Sequence, residues 1–221
     1  MAVRLLDSFW KNAWLDLRTS VKSILLLKRS IGWISALSVG ISLQKKVKKG
    51  EPFNQLPPPK DTKDIKSRLQ IGPAIILYEL LLEKYGQQKA LELVQEVAQE
   101  GAILFLGTIL PEIDRNWYNS LTEENKETKL LELVESFPNS TIGALEFGDD
   151  SFRFEVKQCS FVELSKSTGH PELAQVFCKG DGVYFERHVN QVKFERPTTL
   201  AKGGGCCDFR FEWMDELEGK K

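Results

Sequence analysis

The chain has 221 residues, 42% of them hydrophobic and 28% charged, enough apolar side chain for a packed core in one large domain or a domain with an appendage. Lys plus Arg (30) nearly balance Asp plus Glu (31). The basic excess needed to follow a phosphate backbone is missing, so nucleic acid is not an expected partner.

In chain order, the first fifty residues differ from the rest. Phe9, Trp10, Trp14, Leu17, Val21, Ile24 and Leu25 recur at helical spacing, which predicts an amphipathic helix. A second apolar run extends from Ile31 to Leu43, and the basic cluster Lys45-Lys46-Val47-Lys48-Lys49 follows. Neither run reaches the roughly twenty apolar residues of a transmembrane helix. Two readings stand for this arm of residues 1–50. One is a helical hairpin packed on the domain or on a second copy in a homo-oligomer. The other is a peripheral arm on a membrane surface, because tryptophans beside a polybasic tail favour an anionic interface. Residues 51–64, with Pro57-Pro58-Pro59, read as a stiff linker.

From residue 65 to the end the pattern predicts one α+β domain. Two long helices come first, with Pro73 near a helix start, Gly86 between them and Pro111 after the second. A shorter helix covers about 124–135. Period-two alternation over Ser151–Lys157 predicts a strand, Ser160–Lys166 and Pro171–Phe185 suit helices, and Gln191–Glu195 and Phe209–Trp213 are further strands. The fold class is therefore an N-terminal helical layer followed by a small antiparallel sheet with helices that carry the cysteines.

All four cysteines lie in this last third. They are too few and too unevenly spaced for a secreted disulfide scaffold. The first residues also carry charges and tryptophans where a secretory signal would be apolar. A reducing, cytoplasmic setting with free or metal-bound thiols is expected. Cys159 closes a strand and opens a helix, where the positive end of the helix dipole lowers a thiol pKa. The plain alternative is a small buried hydrophobe. Cys178 and Asp181 are three apart on a predicted helix and share a face, so a thiol stands beside a carboxylate that could take a proton or share a metal; a solvated helix end is the other reading. The alternation of Cys207 with Phe209 and Phe211 suggests that Cys207 shares the core face and Asp208 the opposite one; Cys206 is the alternative inward thiol. No CxxC or HxxxH spacing is present, so any metal set, drawn from Cys159, Cys178 and Cys207 and holding iron or zinc, is irregular. Gly203-Gly204-Gly205 is not followed by the GKS or GKT of a phosphate loop. His170 and His188 lie off the cysteine segments. Arg196 could hold a substrate carboxylate through both guanidinium nitrogens, or could merely pair with Glu195 or Glu186.

Over roughly residues 73–212 the chain resembles the L-2-amino-thiazoline-4-carboxylic acid hydrolase family. The likeness is strongest in CSFVELSKSTGHPELAQVFCKGDGVYF (159–185) and VKFERPTTLAKGGGCCDFRF (192–211). Cys159, Cys178, Asp181, Arg196, Thr199, Cys207 and Asp208 are the positions that match its motifs. The resemblance implies a hydrolase that opens a cyclic amidine-type C–N bond of a small carboxylate such as 2-amino-thiazoline-4-carboxylate. Cys159, Cys178, Asp181 and Cys207 would be its catalytic groups, and Arg196, Thr199 and Asp208 its substrate-binding ones. A weaker likeness runs to plastid carotenoid isomerases and to vinyl-reductase-type modules. It implies instead a cysteine-lined pocket for a metal or an apolar ligand, without hydrolysis. The two differ in the pocket: small and charged for the first, large and apolar for the second.

Overall fold

The structure, a computed structural model, describes residues 21–110, 113–189 and 192–214. The expected helical positions Phe9, Trp10, Trp14 and Leu17 lie outside the described residues. Residues 21–31 form helix α1, and Gly32, in left-handed backbone at φ 77°, joins it to α2 (Trp33–Lys48). Then follow α3 (Thr62–Tyr85) and α4 (Gln87–Ile109). Two short helices come next, α5 (Arg115–Asn119) and α6 (Lys126–Glu135). Strands β1 (Ser140–Phe147) and β2 (Ser151–Cys159) lead to helices α7 (Ser160–Ser167) and α8 (Leu173–His188). The chain ends in β3 (Val192–Glu195), a 3-10 turn at Leu200–Lys202 and β4 (Cys207–Trp213). The α+β class read from the sequence is the class found.

Local chemistry sets the helix ends. Asp61 caps α3 by accepting the Asp64 N–H at 2.8 Å, and Asp114 caps α5 by accepting the Trp117 N–H at 2.6 Å. Both satisfy amides that the first helical turn leaves without a partner. Gly86, at φ 78°, ends α3 and starts α4, in a backbone region that only glycine enters without strain. Pro73 sits inside α3, not near its start. The carbonyl it cannot bond belongs to Leu69, which is 72% exposed, so water can satisfy it. Residues 51–56 turn back, and Phe53 and Leu56 pack on the helical core; a Cβ at Gly72 would meet the Phe53 ring at 3.0 Å.

The sheet is antiparallel throughout, in the order β1-β2-β4-β3. Its inner face stacks Phe152 on Phe211 (4.4 Å) and Phe154 on Phe209 (4.7 Å). These side chains, with Tyr118, Phe185 and Trp213, form one core cluster. A second cluster lies among α2, α3, α4, α7 and α8, centred on Ile75, Tyr78, Leu81, Val94 and Leu173. Helix α8 divides the two clusters and packs along α4, and it does not stop at Gly180 or Gly182. Gly180 is buried, and a Cβ there would come within 2.5 Å of the Ala102 Cβ. Gly180 is the point where the two helix backbones approach.

Candidate functional site

Each candidate group is placed by a different element. Cys159 is the last residue of β2 and the N-cap of α7. Cys178 and Asp181 lie one turn apart on α8. Arg196 follows β3, Thr199 precedes the 3-10 turn, and Cys207 opens β4. The connecting loop is closed by its own backbone: Lys202 and Gly204 donate to the Thr199 carbonyl at 3.1 and 3.0 Å, and Asp208 donates to the Thr198 carbonyl at 3.2 Å. Gly203 takes a left-handed φ of 85°, and a Cβ at Gly204 would press on the Thr199 oxygen at 3.0 Å. Two glycines of the run thus serve a tight turn, not an anion loop.

Arg196 is the hub. Its Nη1 donates to Asp181 Oδ2 at 2.6 Å and its Nη2 donates to the Cys178 carbonyl. The guanidinium stands 5.0 Å over the Phe209 ring, a cation–π contact that holds its plane. Its side chain is 11% exposed and that of Asp181 is 27% exposed. Burial pushes the Asp181 carboxyl up from its ordinary value, and Arg196 pulls it back.

Burial acts on three of the thiols. Burial pushes Cys178 up to about 12; Arg196 lowers it, while Cys159, Asp181 and Cys207 lie close enough for their charges to raise it. Cys159 is also raised by burial, against the Val162 and Phe161 amides and the Asn139 side-chain amide, whose nitrogen lies 3.7 Å from the sulfur. Burial raises Cys207 too, against the Leu200 N–H that donates to its sulfur at 3.3 Å. The helix-dipole lowering expected at Cys159 is outweighed by desolvation. All four cysteines are free thiols, and at neutral pH a thiol with a raised pKa keeps its proton. Among the described residues no group of three or more His, Cys, Asp or Glu side chains is placed to hold a metal ion.

A cavity of about 140 Å³ opens beside the hub, lined by Gln175, Cys178, Lys179, Phe194, Arg196 and Thr199, with Ala201 and Lys202. Cys178 is its one thiol. Three buried side-chain atoms lack a hydrogen-bond partner among the described residues, Gln70 Oε1, Thr199 Oγ1 and Trp213 Nε1, and Thr199 is the one that lines this cavity. A buried hydroxyl without a partner costs free energy unless something else satisfies it. A larger, more open depression of about 320 Å³ lies between α2 and α3, lined by Ser38, Ser42, Glu83 and Lys84 among others, and holds no cysteine.

Asp208 stands apart. It pairs across the sheet with Glu155, and its carboxylate accepts from Arg210 Nη2 at 2.6 Å and Arg153 Nε at 2.7 Å. Arg210, then Arg153, hold it below the usual carboxylate range. His170 packs edge-on against Tyr78 with ring centroids 5.2 Å apart, away from the thiols. The sequence reading missed Gln175, Lys179 and Lys202. Gln175 and Lys179 precede and follow Cys178 by three and one positions on the same helix, and the three- and four-residue offsets of Gln175 put them on one face.

The model of the family described as L-2-amino-thiazoline-4-carboxylic acid hydrolase matches residues 66–211, a span that includes Cys159, Cys178, Asp181, Arg196, Thr199 and Cys207. No curated protein and no solved structure matches the chain. With more than half of its length under one family model, the chain belongs to the L-2-amino-thiazoline-4-carboxylic acid hydrolase family.

Proposed function

We propose that the protein hydrolyses a cyclic amidine C–N bond in a small carboxylate of the 2-amino-thiazoline-4-carboxylate type. The observation that carries this is the cavity. At about 140 Å³ it falls below the roughly 300–1,000 Å³ of pockets for drug-sized ligands. Its walls include Arg196, Lys202, the Thr199 hydroxyl without a partner and the Cys178 thiol, beside Phe194 and Ala201, while the Lys179 ammonium is bonded to Gln95 at 2.6 Å. That is a lining for a small, charged, hydrogen-bonding molecule. The reading as a binder of a lipophilic ligand has no comparable support, since the larger depression is open and sets Ser38, Ser42, Glu83 and Lys84 beside its two apolar walls, Val39 and Leu80.

The raised thiols favour water over a resting thiolate as the nucleophile. The substrate carboxylate enters beside Arg196 and Lys202 and competes with Asp181 for the guanidinium. As Asp181 loses its cation its proton affinity rises further, which makes it a better general base. Asp181, joined to the cavity through Arg196 and not itself one of its walls, takes one proton from water as the oxygen bonds to the amidine carbon, and returns that proton to the ring nitrogen. The C–N bond then breaks, the second water proton moves to the same nitrogen, and the oxygen becomes the carbonyl of a carbamoyl-cysteine. The Thr199 hydroxyl is a hydrogen-bond partner for the bound amidine, and Cys178 is a protonated wall of the ring site.

The test is product formation from 2-amino-thiazoline-4-carboxylate, followed by chromatography, for the wild type, Asp181→Asn and Cys178→Ala. Asp181→Asn should lower kcat by about 10²–10⁴, the usual contribution of a positioned acid–base group, and Cys178→Ala by much less. A loss at Cys178→Ala as deep as at Asp181→Asn would make the thiol the nucleophile. No turnover by the wild type would remove this substrate.

A further inference from the structure

Residues 21–49 contain seven basic and no acidic residues, although the chain as a whole stands at −1. Positive charge is therefore concentrated on α1 and α2, and the remainder of the molecule is acidic. Helix α2 also has two apolar faces. Ala36 and Val39 are buried, and they pack with Leu43 in the helical core. On the opposite side Trp33, Ile34, Leu37 and Ile41 are 49, 87, 48 and 60% exposed. At 100° per residue these four cover about 100° of arc, and Lys45 and Lys48, both exposed, continue the same stripe at the end of the helix. Lys46 points the other way and is held by Glu51 at 2.5 Å and Glu79 at 3.7 Å. The Lys28 ammonium lies 4.7 Å from the Trp33 ring centroid.

Packing against α3 does not call for the outer apolar face. The charge around it decides what can cover it. The rim of a protein interface is polar, whereas this stripe runs into exposed amines and α2 itself carries no carboxylate. Its complement is a surface that is apolar within and negative outside. Among the described residues no helix is long and apolar enough to cross a membrane, so the matching geometry is a helix lying in the lipid interface. We propose that the outer face of α2 docks the protein on an anionic lipid bilayer, with Trp33, Ile34, Leu37 and Ile41 in the acyl boundary and Lys45, Lys48 and Lys49 on the headgroups.

The test is co-sedimentation of the full chain with phosphatidylcholine vesicles, with and without phosphatidylglycerol, at low and high salt. Binding is expected only with the anionic lipid, and weaker in high salt. Lys45→Glu/Lys48→Glu/Lys49→Glu should cost about fivefold or more per position, and Ile34→Ser/Leu37→Ser/Ile41→Ser should abolish binding, while both variants keep the wild-type circular dichroism. Absence of binding by the wild type overturns the proposal. So does loss of binding in the lysine variant alone, which leaves simple charge adsorption. A dimer that the serine variant converts to monomer, without vesicle binding, overturns it in favour of a second copy. None of these readouts uses turnover, so the outcome is independent of the hydrolase reading.

Discussion

Replacing Arg196 by Met tests the hub of the site. The change removes the cation 2.6 Å from Asp181 Oδ2, the donor to the Cys178 carbonyl and the contact over Phe209. Breaking a buried pair on one side costs about 3–5 kcal/mol, because the partner is left charged without compensation. Asp181 keeps 27% of its side chain exposed, which puts the expectation at the lower end, about 3 kcal/mol. Asp181→Asn keeps an oxygen for Nη1 to bond and leaves the Cys178 carbonyl satisfied, so about 1–2 kcal/mol is expected. The pH dependence carries the sharper sign. Without Arg196, burial alone acts on Asp181, and its folded pKa rises further above the unfolded value of roughly 4. The folded state then holds a proton that the unfolded chain has released. Stability falls as pH rises through that window, and the deficit against the wild type is smaller near pH 4, where the loss of the contacts to the Cys178 carbonyl and Phe209 remains, and full at neutral pH. Urea unfolding of the wild type, Arg196→Met, Asp181→Asn and Arg196→Met/Asp181→Leu at both pH values measures this. An equal deficit at the two pH values, or an Arg196→Met variant no less stable than Asp181→Asn, would refute the buried-pair account.

Asp208 should behave in the opposite sense. Arg210 and Arg153 lower its folded pKa, so its contribution is present above the unfolded carboxylate value and is lost as pH falls through the lower folded one. Both arginines are part-exposed, so about 1 kcal/mol is expected, and Asp208→Asn should flatten that part of the acid unfolding curve without changing KM. Gly180→Ala should lower the urea midpoint. Its Cβ would lie 2.5 Å from that of Ala102, an overpacking cost of about 1–3 kcal/mol only partly offset by up to about 1 kcal/mol of helix propensity. A stabilised variant would mean that α4 and α8 have room to part.

The elements that were legible are those whose burial follows their own periodicity. Phe152, Phe154 and Val156 alternate inward on β2, as do Cys207, Phe209 and Phe211 on β4, and both were read as strands. β1 was not. It is an edge strand with mostly exposed residues, and its register with β2 slips between Thr141 and Ile142 and again before Leu145, so no single period survives. The five-residue α5 is too short to show a period. The mid-helix Pro73 was read as a boundary because local cost alone says so, whereas packing on both sides, at Ile71 and Ile75, carries α3 through it.

The sequence named Cys178, Arg196 and Thr199, which line the cavity, and also Asp208, which stands apart; it did not show their electrostatics, for one reason. Cys159 has the position that lowers a thiol pKa, at the start of α7, and Cys178 has a cation nearby in Arg196; yet burial raises both. Sequence spacing reports the dipole and the neighbour on the helix, which are local. Desolvation is set by what the other elements lay over the sulfur, here α8 against the sheet and the loop from Arg196 to Cys207. The same non-local term acts on Asp181 and leaves its carboxyl more basic. Burial thus raises all three thiols that the motif names, and Arg196 sets how far it raises the Asp181 carboxyl.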